Sequence, residues 1–110
     1  MAKVNISPAA RADLREIGDY VSRELRNPSA ALRLMQRIRK SIKPLELFPE
    51  TGSPLLIGAE QRVPYRFLVC GSYMVFYHLD EDGVLIDRIL YGRRDYMALL
   101  FGDCLVDEDE

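Results

Sequence analysis

At 110 residues, with 48% hydrophobic and 29% charged side chains, the chain has room for one domain with one modest core and none for a second. Its formal net charge of −2 conceals an asymmetry, because the last eight residues, Asp103 to Glu110, carry five acidic groups and no basic one; Met1 to Gly102 therefore stands at +3. That excess permits contact with a polyanion without requiring it.

The opening Met1-Ala-Lys-Val-Asn contains no apolar leader, and no apolar run approaches the ~18 residues of a membrane span, so a soluble, cytoplasmic chain is expected. Lys3 to Ile6 reads as a short strand. Ser7-Pro8 then supplies an N-cap hydroxyl and a first-turn proline, predicting a helix whose buried stripe is Leu14, Ile17, Val21 and Leu25. Asn27-Pro28 repeats the signal. It starts a second helix with the core face Ala31, Met35, Ile38, Ile42 and Leu45, antiparallel to the first. Between Pro28 and Pro44 this helix carries Arg33, Arg37, Arg39, Lys40 and Lys43 and no acidic residue. Such a face is either simply solvated or a docking surface for an acidic partner or nucleic acid.

Pro44, Pro49 and Thr51-Gly52-Ser53-Pro54 predict a loop before the sheet. From Val63 the residues alternate, with Val63, Tyr65, Phe67 and Val69 on one face and Arg66, Leu68 and Cys70 on the other. Gly71-Ser72 fits a type II′ hairpin turn, Tyr73 to Leu79 a third strand, Asp80 to Gly83 a second hairpin loop, and Val84 to Tyr91 a fourth strand interrupted by Asp87 and Arg88. Met97, Leu100 and Phe101 recur at helical spacing, predicting a short final helix over Arg93 to Phe101, and Asp103 to Glu110 reads as a disordered acidic tail. The order predicts an α+β fold. An N-terminal strand, a two-helix antiparallel hairpin and a mainly antiparallel four-stranded sheet would form a single domain over residues 1–102, with 103–110 as its tail.

Cys70 and Cys104 form no CxxC pair and no ligand cluster with His78, which gives no support to a disulfide, a metal or any other cofactor. Cys70 reads as a small buried residue and His78 as a strand-edge histidine with no second acid-base residue in sequence reach. Tyr73 and Tyr77 read as ordinary strand packing.

The strand–helix–helix–three-strand order, Tyr65-Arg66, Tyr73, Phe76-Tyr77 and the closing Gly92-Arg93-Arg94-Asp95 together resemble the RelE/ParE superfamily of toxin–antitoxin toxins, over roughly Val4 to Phe101. The resemblance implies a small growth-arresting toxin neutralised by a cognate antitoxin that covers its sheet and helix faces. It also implies one of two targets. Members like RelE cut messenger RNA on the ribosome without a metal, whereas members like ParE poison DNA gyrase and need no catalytic set.

Cleavage of RNA needs a base for the 2′-hydroxyl, cations for the phosphoryl charge and a donor for the leaving oxygen. By the resemblance, Arg66 matches one basic position of such nucleases and Arg93 and Arg94 another. Leu68 and Met74 stand where further cations belong, and Tyr96 comes early for the closing tyrosine. Arg66, Arg94 and Tyr96 are thus the candidate catalytic residues if the chain is a nuclease, and Arg66, Arg93, Arg94 and Tyr96 the candidate target-binding residues otherwise. The departures favour a non-catalytic gyrase poison, with a ribosome-dependent endoribonuclease and a non-toxic antitoxin-binding module of operon autoregulation as alternatives.

Overall fold

Both helix starts take the form their sequences predict. Ser7 Oγ accepts from the Ala10 amide at 3.0 Å and Asn27 Oδ1 from the Ala30 amide at 3.1 Å, each followed by a proline whose missing N–H costs a first helical turn nothing. In this computed structural model, which describes residues 2–57 and 61–92, the order is β1 (Lys3–Ile6), α1 (Pro8–Asp19), a π-helical turn (Tyr20–Glu24), α2 (Pro28–Ile42), a 3₁₀ turn (Lys43–Glu46), β2 (Ser53–Ile57), β3 (Gln61–Cys70), β4 (Tyr73–Asp80) and β5 (Gly83–Tyr91). The expected final helix over Arg93 to Phe101 and the acidic tail lie outside the described residues.

The sheet has five strands in the order β1-β5-β4-β3-β2, with β1 parallel to β5 and every other pair antiparallel. The additional strand, β2, occupies part of the stretch expected to be loop. Pro54 did not exclude it because β2 is an edge strand, where one absent N–H need not cost a ladder bond. On the opposite side β5 begins at Gly83 (φ 131°), packed so closely on β1 that a Cβ there would lie 2.8 Å from Lys3 N and closer still to Lys3 O. Only glycine fits at that junction.

The predicted stripe of the first helix holds as far as Val21, which is buried, and then fails, because Leu25 is 56% exposed. The reason is the π turn: Leu25 N donates to Tyr20 O, five residues back, so the chain advances by less than 100° per residue and Leu25 rotates off the buried face. Arg26 (φ 53°) then ends the helix. On α2 the expected face is kept, with Ala31, Ile38 and Ile42 buried and Leu45 buried in the turn that follows.

The helices cover one sheet face. Ala10, Ile38, Ile42 and Leu45 pack there with Cys70, Val75, Tyr77, Val84, Ile86 and Ile89. Leu55, Met74 and Phe76 form a second cluster with Tyr65, Phe67 and Leu90. Alternation along β3 and β4 is therefore apolar on both faces. Along β5 it breaks at a bulge: Phe76 pairs with Arg88 but Tyr77 with Ile86, leaving Asp87 as an extra residue. This lets Ile86 and Ile89, three apart, both enter the helix-side core, and it explains why two charges interrupt the apolar run.

Candidate functional site

The charged groups at the bulge go to two different places. Arg88 reaches α1, where Nε donates to Asp13 Oδ2 and Nη2 to Oδ1, both at 2.8 Å, while the Ile89 amide donates to Oδ2 at 2.9 Å. Asp13 is buried with three donors around it, and its carboxylate raises the Arg88 pKa further. Asp87 instead approaches His78, whose Nδ1 lies 2.7 Å from Oδ2. Burial first of all raises the Asp87 pKa; the His78 hydrogen bond and charge oppose this, and Asp80 adds to it. The Asp87 carbonyl also accepts from Ser7 Oγ at 3.0 Å, so one hydroxyl ties the α1 cap to the bulge.

His78 therefore has an acidic partner that sequence proximity did not reveal, nine residues away across the β4–β5 hairpin. The Tyr65 and His78 rings meet in a T-shaped contact, 5.6 Å between centroids. The overlooked signal was Asp87 itself, an acid in the middle of an apolar strand.

Arg66 sits opposite Tyr77 in the ladder, and both side chains point at the loop before β2. Arg66 Nη1 donates to Gly52 O at 2.8 Å and Glu50 O at 3.2 Å. The Tyr77 hydroxyl accepts from Gly52 N at 2.8 Å and donates to Pro49 O at 2.9 Å. Burial is the main cause that raises the Tyr77 pKa, which keeps the phenol protonated and able to donate. Gly52 has no space for a side chain, since a Cβ would lie 2.6 Å from Tyr77 Oη and 2.8 Å from Phe67 O.

Among the sequence-derived site residues, then, Arg66 is engaged with backbone carbonyls, and Arg93, Arg94 and Tyr96 lie outside the described residues. Met74 is buried against Leu55 and Phe76, on the face opposite Tyr77. Tyr73 meets Tyr91 edge-on at 5.4 Å, and burial, then the proximity of Tyr91 and Tyr20, raises its pKa. Cys70 is buried in the helix-side core, in line with its reading as a small apolar residue. Among the described residues no group of three His, Cys, Asp or Glu side chains could hold a metal ion, and no helix is long and apolar enough to cross a membrane.

A helical hairpin over a sheet of this order defines the fold of small toxins from toxin–antitoxin systems, and solved structures bear this out. The chain is similar to a structure of the chromosomal ParDE toxin–antitoxin system from P. aeruginosa (TM-score 0.70, 23% identity, 84% of this chain and 98% of that one). It is also similar to structures of the RelBE2 complex from Mycobacterium tuberculosis (0.57, 17%, 82% and 96%) and the DinJ–YafQ complex from E. coli (0.54, 13%, 92% and 98%). The sequence profile of the ParE toxin of type II toxin–antitoxin systems, parDE, matches residues 4–96. The chain belongs to that family. A search of curated protein sequences gave no match.

Proposed function

We propose that this ParE-family toxin arrests growth by binding DNA gyrase, without cleaving RNA, and that a cognate antitoxin neutralises it. One observation carries the choice between targets. The Arg66 guanidinium, the one described cation of the candidate catalytic set, donates to Gly52 O and Glu50 O and so holds the loop before β2. Met74, in the slot where the ribonuclease pattern places an arginine, is a buried apolar side chain. Membership of the ParE family supports the same reading.

The antitoxin partner is supported by the similar structures, which are of toxin–antitoxin systems and complexes. It is also supported by exposed apolar side chains that a partner would cover: Leu25 and Leu32 on the helical side, and Leu47 and Phe48 after α2, the last two 63% and 65% exposed. The test is to add the purified chain to purified gyrase and supercoiled DNA. Accumulation of cleaved gyrase–DNA complexes, reversed by the antitoxin, is the expected result; unchanged supercoiling at stoichiometric excess would reject it.

A second reading, a metal-independent endoribonuclease, has one observation in its favour. The His78 ring is held by a carboxylate at Nδ1, the arrangement that orients a general base with Nε2 free. Ladder alternation puts it on the sheet face opposite Tyr77 and Arg66. That reading requires His78→Ala and Arg94→Ala each to abolish cleavage of ribosome-bound messenger RNA while the fold is kept.

A further inference from the structure

Helix α2 and the first residue of the turn after it present five cations with no acidic residue among them. Arg33, Arg37, Arg39, Lys40 and Lys43 are all exposed, and among the described residues none forms an ion pair. An open groove of about 760 Å³ runs along this face from Ala30 to Lys43. Five like charges within eleven residues repel one another, and helical rise confines them to about 15 Å. An anionic strand laid along the face would relieve that repulsion.

The sequence contains one such strand, the five acids of Asp103 to Glu110. The end of β5 sets its reach. Gly92 N donates to Ser72 O at 2.7 Å, which fixes the end of β5 beside the β3–β4 turn. Arg37 overhangs that turn, its Nη2 lying 3.3 Å from where a Gly71 Cβ would be. The chain thus leaves the sheet next to the middle of the basic face. The ten residues from 93 to 102 span about 15 Å if helical, as their spacing predicts, and at most ~34 Å if extended; either length reaches along the cationic stretch from its middle.

We infer that the acidic segment Asp103–Glu110 docks in cis on the basic face of α2, as an intramolecular competitor of any acidic partner of that face. The tether gives the segment an effective concentration in the millimolar range, so weak, salt-sensitive pairing is enough to occupy the face. An acidic ligand must then displace the segment before it can bind. The nearest rival for the same carboxylates is Arg93-Arg94, in the connector itself.

The experiment uses the full chain with Cys70→Ala and a nitroxide on Cys104, a position inside the acidic segment. The expected result is selective broadening of the α2 amide signals from Arg33 to Lys43 at low salt, lost at about 1 M salt, where the screening length falls to about 3 Å. Broadening confined to residues near Ser72 and Gly92 would mean that the segment pairs with Arg93-Arg94 and would overturn the proposal, as would broadening that ignores salt. A second measurement needs no label or cysteine substitution. A decaglutamate peptide should bind a chain ending at Gly102 about tenfold more tightly than the full chain, and Arg37→Glu with Lys40→Glu should remove the difference. Equal affinity for the two chain lengths would contradict the docking.

Discussion

Arg88 grips Asp13 with two parallel N–H···O bonds of 2.8 Å, joining the bulge of β5 to the middle of α1 across 75 residues of sequence. The Ile89 amide, buried beside them, depends on the same carboxylate. The helix hairpin is thus held to the sheet by a polar clamp as well as by apolar packing.

Removing one half of the clamp leaves the other uncompensated. Asp13→Ala is expected to cost about 3 kcal/mol, because it strands both the guanidinium and the Ile89 amide. Replacing the pair together, Asp13→Leu with Arg88→Met, should cost less than the single change. Urea denaturation of the native chain and the two variants checks this, and equal costs for the single and double changes would show that the clamp does not act as a unit.

Loop 49–52 depends on Tyr77 and Arg66. Tyr77→Phe removes an acceptor for Gly52 N and a donor for Pro49 O, and should destabilise by about 2 kcal/mol. Gly52→Ala, which drives a methyl group onto the same hydroxyl and onto Phe67 O, should cost at least as much. Arg66→Ala should free the loop with a smaller loss, read as faster amide exchange over residues 49–55.

The pH dependence follows from Asp87. Burial raises its pKa in the folded state, so the folded chain holds this proton more tightly than the unfolded one. The stability this gives is complete below the ordinary value of 3.8 and is lost as pH rises through the raised value. Asp87→Asn has no such loss. The native chain should therefore lose stability relative to Asp87→Asn as pH climbs through that window; a relative gain would show that the His78 contact outweighs burial.

Much of the fold was legible because local signals agree with the tertiary structure. Ser7-Pro8 and Asn27-Pro28 cap where expected, the α2 stripe is buried, and Gly71 takes the positive φ (62°) that its turn demands. What escaped detection depends on contacts between distant residues. Edge strand β2 is a strand because β3 pairs with it, despite its proline. Leu25 is turned outward by a π turn that no periodicity announces. Asp13 lies at helical spacing from Ala10 and Ile17, and only the arginine interrupting β5 hints at its partner. Arg66 was legible as a basic residue on a strand, but its engagement with the Glu50 and Gly52 carbonyls depends on the fold of a loop fourteen or more residues away.

Met74 bears on the choice of target. Buried with Leu55 and Phe76, it has no room for a hydrated guanidinium. Met74→Arg, which restores the arginine of the ribonuclease pattern, should destabilise by about 3 kcal/mol and confer no cleavage of ribosome-bound RNA. Cleavage by this variant would mean that the missing cation alone separates the chain from a nuclease.

Action on gyrase, as proposed, can be read by pulse-labelling DNA and protein synthesis in bacteria in the first minutes after the chain is induced without its antitoxin. DNA synthesis should fall first while protein synthesis continues. If protein synthesis falls first, with DNA synthesis following, the toxin acts on translation and not on gyrase.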